Sequence, residues 1–233
     1  MKSVAIRPRK LLLWDIDGTL LHTGEAGKIA LCRAMDKLHG GKSDFQGIEI
    51  GGQTDKWIAE QLLGREGKPN GPEEITRFLD VYVECLAEEL PRRDGGLHLG
   101  VLGILEEAHQ RTELVQALLT GNIEIGARLK LTRYGVNHFF EFGAFSDDSS
   151  IRNELGPYAR RRARERHGEE FPPERIFVIG DTPHDVACAR AIGARAIAVA
   201  TGSFTEQQLR DCGADAVFSD LAHPEAFFQL LDL

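Results

Sequence analysis

Asp15 and Asp17 stand one residue apart in Leu11-Leu12-Leu13-Trp14-Asp15-Ile16-Asp17-Gly18-Thr19-Leu20-Leu21, directly behind a run of apolar side chains. If strand geometry persists to the end of that run, both carboxylates project to one side and Ile16 to the other. Two close carboxylates beside a dry core cannot both ionise cheaply unless a cation joins them. Hard oxygen ligands favour Mg²⁺, which takes one or two carboxylates together with waters and substrate phosphate oxygens. A strand that ends in an Asp-Gly hairpin turn explains the same residues without any ligand. The motif alone leaves both readings open.

Two further apolar runs end in residues suited to chemistry. Residues 114–119 precede Thr120-Gly121-Asn122, and residues 176–179 precede Gly180-Asp181-Thr182-Pro183-His184-Asp185. Continuous apolar runs bounded by turn signals suit strands buried on both faces, as in parallel sheets. On periodicity alone the middle run could equally end a helix. Helical patterns separate the runs at 101–110, 123–132, 154–167 and 185–192, and another strand pattern at 196–200 leads into Thr201-Gly202. This alternation predicts an α/β fold with a doubly wound, mostly parallel, Rossmann-like sheet. In such sheets ligands sit beyond the carboxyl ends of the strands, where Asp15, Thr120 and Asp181 would meet.

Residues 22–91 break this rhythm. They read as helices at 27–38, 55–63 and 72–90 joined by glycine-rich segments, which predicts a helical insert hinged at both ends. The expected division is a core of residues 1–21 and 92–233 with an inserted helical domain of residues 22–91.

The three strand-end motifs resemble those of the haloacid dehalogenase-like hydrolase superfamily, whose first motif has the form DxDGT. Here it is Asp15-Ile16-Asp17-Gly18-Thr19; the second is Leu118-Leu119-Thr120-Gly121-Asn122, and the fourth is Gly180-Asp181 through Asp185. The resemblance runs from about Leu11 to the C-terminus and implies a role for each residue. Asp15 would attack phosphorus to give an aspartyl-phosphate. Asp17 would protonate the leaving oxygen and later deprotonate the attacking water. Mg²⁺ would be held by Asp15, the backbone carbonyl of Asp17, and Asp181, with Asp185 a ligand, a water-holder or the partner of a cation. Thr120, Gly121 and Asn122 would bind phosphoryl oxygens at a helix N-terminus, a setting that favours anions. On its own, Thr120 could equally be a helix N-cap.

The family's third motif is usually a lysine, and no lysine follows Lys130 in this chain. Arg152 is the best-placed cation, retaining the charge and offering a bidentate fork in place of an ammonium. Lys130 is second, with a solvated helix face as its alternative. The resemblance makes the insert a mobile cap, and Gly51-Gly52-Gln53-Thr54-Asp55 lies where such caps carry a substrate-contacting loop. Gln53, Thr54 and Asp55 are therefore candidates, although Thr54 or Asp55 could simply cap the helix that follows. His184 either meets substrate or metal or is a turn residue without a role.

The net charge of −8 argues against non-specific nucleic-acid binding and against an anionic membrane surface. Arg160 to Arg166 spread around a helix without an interleaved aromatic, which predicts a solvated face. Phe139, Phe140, Phe142 and Phe145 read as core. Cys32, Cys85, Cys188 and Cys212 form no CxxC pair, so neither zinc nor a disulfide framework is expected. The N-terminal apolar run is too short for a secretory signal and no stretch suits a membrane span, which predicts a cytoplasmic protein. The insert carries 8 Lys and Arg against 13 Asp and Glu, leaning towards a small substrate over a polyanion. The resemblance thus implies a Mg²⁺-dependent phosphatase, phosphoglycolate phosphatase-like in layout. It would act on a small phosphorylated metabolite as a monomer or homodimer, with no nucleic acid or membrane partner. A phosphomutase of the same superfamily and a non-catalytic phosphate-binding module are the alternatives.

Overall fold

The first apolar run forms β1 (Lys10–Trp14), whose last four residues are fully buried. After it come β2 (Leu21–His22), α1 (Ala26–His39), α2 (Asp55–Arg65), α3 (Pro72–Glu89) and β3 (Gly96–Leu97). The alternating part follows as α4 (Val101–Gln110), β4 (Leu114–Leu119), α5 (Glu124–Arg133), β5 (Gly143–Ala144), α6 (Leu155–His167) and β6 (Ile176–Gly180). It ends with α7 (Pro183–Ala191), β7 (Arg195–Val199), α8 (Glu206–Asp211), β8 (Ala216–Phe218) and α9 (Pro224–Leu230). The computed structural model describes residues 8–40 and 43–233.

Six strands form one parallel sheet in the order β5-β4-β1-β6-β7-β8. Trp14 is in register with Leu118 on one side and Ile179 on the other, so the three motif-bearing strand ends lie abreast. The chain winds outward from β1 through β4 to β5, then returns to β6 and winds the other way. The reversal opens a crevice at the carboxyl ends of β1, β4 and β6. Alternation along the strands supplies both faces. Leu12, Trp14, Leu118 and Ile179 pack with Ile104 of α4, Leu131 of α5 and Phe227 of α9. Leu11, Leu13, Leu119 and Val178 pack with Leu155 of α6 and Val186 of α7. The doubly wound α/β fold expected from the sequence is the fold observed, and the middle run is a strand.

Helices α1, α2 and α3 have a core of their own, with Ala30, Leu31, Ile58, Leu62, Phe78, Tyr82 and Leu86 buried together. Ile123, at the start of α5, joins that cluster from the sheet side. The insert leaves and rejoins the sheet through the antiparallel pair β2–β3, with Leu21 opposite Leu97 and His22 opposite Gly96.

Two differences from the sequence reading have plain causes. Helix α7 starts at Pro183, ahead of residue 185, because Thr182 and Asp185 form a capping box that fixes its first turn. The short strands β5 and β8 and the helices α8 and α9 carry too little periodicity to be predicted. Phe139, Phe140, Phe142 and Phe145 are buried around β5. The arginines of α6 are spread among separate acids, with Arg161 on Glu165, Arg162 on Asp148, Arg164 on Glu170 and Arg166 on Glu141. Among the described residues no helix is long and apolar enough to cross a membrane.

Candidate active site

Asp15 lies just past β1, with its N–H donated to the carbonyl of Ile179 and its side chain buried. Ile16 turns into the core, while Asp15 and Asp17 both face the crevice, as strand alternation requires. Gly18, at φ 83°, then reverses the chain so that its N–H reaches the carbonyl of Leu21. This left-handed position also presses the backbone against the carboxylate of Asp181, where a Cβ on residue 18 would overlap it.

Asp15, Asp181 and Asp185 bring one carboxylate oxygen each within 4.8 Å of one another, all three buried. Thr19 donates its hydroxyl to Asp181 Oδ1 at 3.0 Å. Asp185 is more heavily engaged: its Oδ2 accepts the N–H of Thr182 at 3.0 Å and its hydroxyl at 2.7 Å, and its Oδ1 meets Arg152. Arg152, fixed in the turn before α6, places Nη2 3.1 Å from Asp15 Oδ1 as well. Its Nε is buried and has no protein partner. Arg152 Nη1 also lies close to Gly121, where a Cβ would come within 2.9 Å of it.

One guanidinium does not balance three buried carboxylates. Burial raises Asp15 to about 6, with Asp185 and Asp17 adding to the rise and Arg152 opposing it. Burial and the charges of Asp185 and Asp15 push Asp181 up to about 8. Asp185 and Asp15 in turn hold the Arg152 pKa well above its ordinary value, against the cost of burial. A buried, all-oxygen donor set with excess negative charge fits a hard divalent cation such as Mg²⁺.

Beside this group, Thr120 is fully buried and its Oγ1 accepts from Asn122 Nδ2 at 2.8 Å. Asn122 Nδ2 also donates to Asp17 Oδ2 at 2.8 Å. The insert closes over these residues through the loop before α2. Asp55 donates its N–H to the carbonyl of Gly121 at 2.7 Å, and its Oδ2 accepts the N–H of Ile123 at 2.8 Å. Burial raises the Asp55 carboxyl to about 6, with Lys130 drawing it down. Thr54 donates to the carbonyl of Ser150 at 2.7 Å and accepts from Trp57, serving as N-cap of α2. Gln53 Nε2 sits 3.3 Å from His184 Nε2.

A cavity of about 410 Å³, partly open to solvent, lies between insert and sheet. Asp15, Asp17, Asp181, Arg152, Gly121, Asn122 and Gln53 all reach it; Thr120, Thr54 and Asp185 stand behind the surface. Asp55, Tyr82 and Lys130 line it too. Lys130 departs from the solvated-face alternative: it is 4 % exposed and its Nζ lies 2.6 Å from Asp17 Oδ2. A readable signal existed, because Lys130 falls on the inward stripe of α5 with Gly126, Ala127 and Leu131. Gly202, which follows the strand pattern at 196–200, is not among the site residues expected from the sequence; it faces the Asp181 carboxylate so closely that a Cβ would overlap it. Thr201 donates to the carbonyl of Gly18 at 2.6 Å, tying the loop after β7 to the first motif.

Residues 152–224 match the HAD-hydrolase-like family. No curated protein matches the chain. Solved structures share its fold over nearly their whole lengths. CbbY from Rhodobacter sphaeroides, in complex with phosphate, superposes with TM-score 0.74 at 19% identity, covering 92% of this chain and 96% of its own. A predicted phosphoglycolate phosphatase from Haemophilus somnus gives 0.69 at 17% identity, with 96% and 98% covered. A putative β-phosphoglucomutase from Bacteroides vulgatus gives 0.68 at 21% identity, with 97% and 90% covered. The family match thus covers the part of the chain that carries the fourth motif, and the likeness to these structures is one of fold over nearly the whole chain.

Proposed function

We propose that the protein is a phosphatase that transfers the phosphoryl group of a small phosphate monoester to Asp15 and then to water. The observation that carries this reading is the placement of Asp15 at the end of a central strand, against Arg152 and facing the cavity between insert and sheet. A carboxylate that attacks phosphorus needs cationic company and room for one substituent, and both are present.

In the first step a carboxylate oxygen of Asp15 forms a bond to phosphorus as the ester P–O bond breaks. The electron pair leaves with the substrate oxygen, and Asp17 supplies its proton. In the second step water attacks phosphorus, Asp17 takes a proton from it, and the bond to Asp15 breaks to regenerate the carboxylate. Arg152 and the N–H of Gly121 hold the phosphoryl oxygens through both steps. Asp15, Asp181 and the backbone carbonyl of Asp17 would hold Mg²⁺, with Asp185 behind them; when bound, it neutralises the carboxylates and the phosphoryl charge. Residues 22–91 act as a cap whose closure excludes water from the core of residues 1–21 and 92–233. Gln53 faces the substrate from that cap, while Thr54 shapes the loop that carries it.

A panel of phosphate monoesters assayed with and without Mg²⁺ tests the reading. Release of phosphate that requires Mg²⁺ and disappears in Asp15→Asn is the expected outcome. Absence of hydrolysis across the panel, generic aryl phosphates included, overturns it. Isomerisation of a sugar phosphate without net phosphate release would identify a mutase instead.

A further inference from the structure

Lys130 is joined to the second aspartate of the motif, away from the first. Its Nζ donates to Asp17 Oδ2 and to Asn122 Oδ1, each at 2.6 Å. Asn122 Nδ2 donates to the same Asp17 oxygen at 2.8 Å. One carboxylate oxygen of Asp17 thus receives two donors, while the side chain stays 43% exposed to the cavity it lines. Lys130 also feels the charge of Asp55 from α2. Gly27 and the Tyr82 hydroxyl lie beside the ammonium, a Cβ at residue 27 falling at ordinary contact distance, 3.7 Å from Nζ.

Burying an ammonium is costly and is tolerated only with close partners. A long side chain on a helix could have reached water; this one crosses to the base of the cavity. A cation meant for the phosphoryl group would stand against Asp15, where Arg152 already stands.

We propose that Lys130 is a positioning residue for Asp17. With Asn122 it fixes Oδ2 as an acceptor and turns Oδ1, the oxygen that carries the proton, towards the leaving group. The proton passes from Oδ1 to the substrate oxygen as the ester P–O bond breaks and the bond from Asp15 to phosphorus forms. The proposal rests on the phosphatase reading above, and it assigns to Lys130 a duty separate from that of Arg152.

The dependence on leaving group separates the two duties. A positioned acid matters where the leaving oxygen is basic and hardly at all where it departs as a stable anion. Wild type, Lys130→Met and Lys130→Gln are compared by kcat/KM on phenyl phosphate and on 2,4-dinitrophenyl phosphate. That constant reports the step in which the proton is given. Lys130→Met should lose about 100-fold on phenyl phosphate, the scale of general acid catalysis, and only a few-fold on the dinitrophenyl ester. Lys130→Gln, which keeps one donor, should recover part of the loss; if the Met variant does not fold, the Gln variant carries the same comparison. Equal losses on the two esters, or no loss on either, would overturn the positioning role while leaving the phosphatase reading intact. If the wild type cleaves neither ester, the phosphatase reading fails and the proposal falls with it.

Discussion

Asp55 and Ile123 join the insert to the sheet: Asp55 Oδ2 accepts the N–H of Ile123 at 2.8 Å. The reciprocal bond from Asp55 N–H to the carbonyl of Gly121 completes a two-point latch. The carboxylate therefore sits at the N-terminus of α5, where the helix favours negative charge. Asp55→Ala should speed amide hydrogen exchange across residues 51–55 and 121–123. It should lower kcat/KM several-fold, with a loss of global stability of about 1–2 kcal/mol. Unchanged exchange in those segments would show that the latch does not govern closure.

Gly202 and Gly18 both lie against Oδ2 of the Asp181 carboxylate. A methyl at position 202 has nowhere to go except into that carboxylate. Gly202→Ala should therefore weaken Mg²⁺ binding about 10-fold or more, as expected when the support of a ligand is disturbed. Isothermal titration with Mg²⁺ measures the effect directly. An unaltered affinity would mean that Asp181 does not take part in holding the ion.

Stability in the absence of metal should depend on pH with a definite sign. Asp15 is raised to about 6 and Asp181 to about 8, both from 3.8. Between pH 4 and 8 the folded chain therefore keeps protons that the unfolded chain has lost. Stability should fall as pH rises through that window and level off above it. Mg²⁺ binds the ionised carboxylates, so its stabilising effect should grow over the same range. Thermal melts from pH 5 to 9 in EDTA and in Mg²⁺ should show a gap that widens towards alkaline pH. Asp181→Asn should flatten the EDTA curve. A gap independent of pH would rule out these carboxylates as the ion's ligands.

The sheet and its motif ends were legible because three short, mostly apolar runs each end in a polar motif, a pattern that suits adjacent buried strands and places Trp14, Leu118 and Ile179 in register. Only the middle run, which holds Gln116, was open to a helical reading. The inward turn of Lys130 was harder to see. Its stripe on α5 is built partly from Gly126 and Ala127, small residues that leave almost no hydrophobic period. The latch at Asp55 was not legible at all, since it depends on how the insert settles against a helix 68 residues further along. Sequence spacing describes what one element presents, and here the decisive contacts lie between elements. Gly202 was missed for the same reason, because its neighbour Asp181 arrives from a different strand end.

Arg152 should behave differently from Lys130. Its guanidinium lies between Asp15 and Asp185, and its buried Nε is free of protein partners at the edge of the cavity. Removing it leaves two buried carboxylates without their cation. Arg152→Ala should then cost about 3–5 kcal/mol of stability, the range for breaking a buried ion pair. The presence of Mg²⁺ should offset part of that loss. Turnover should fall by a similar factor on phenyl phosphate and on 2,4-dinitrophenyl phosphate, because charge on the phosphoryl oxygens develops with either leaving group. Arg152→Lys restores a charge but not the fork that reaches both carboxylates, so it should recover stability more fully than kcat. A strong preference of the Arg152→Ala enzyme for the dinitrophenyl ester would move the acid-positioning duty from Lys130 to Arg152.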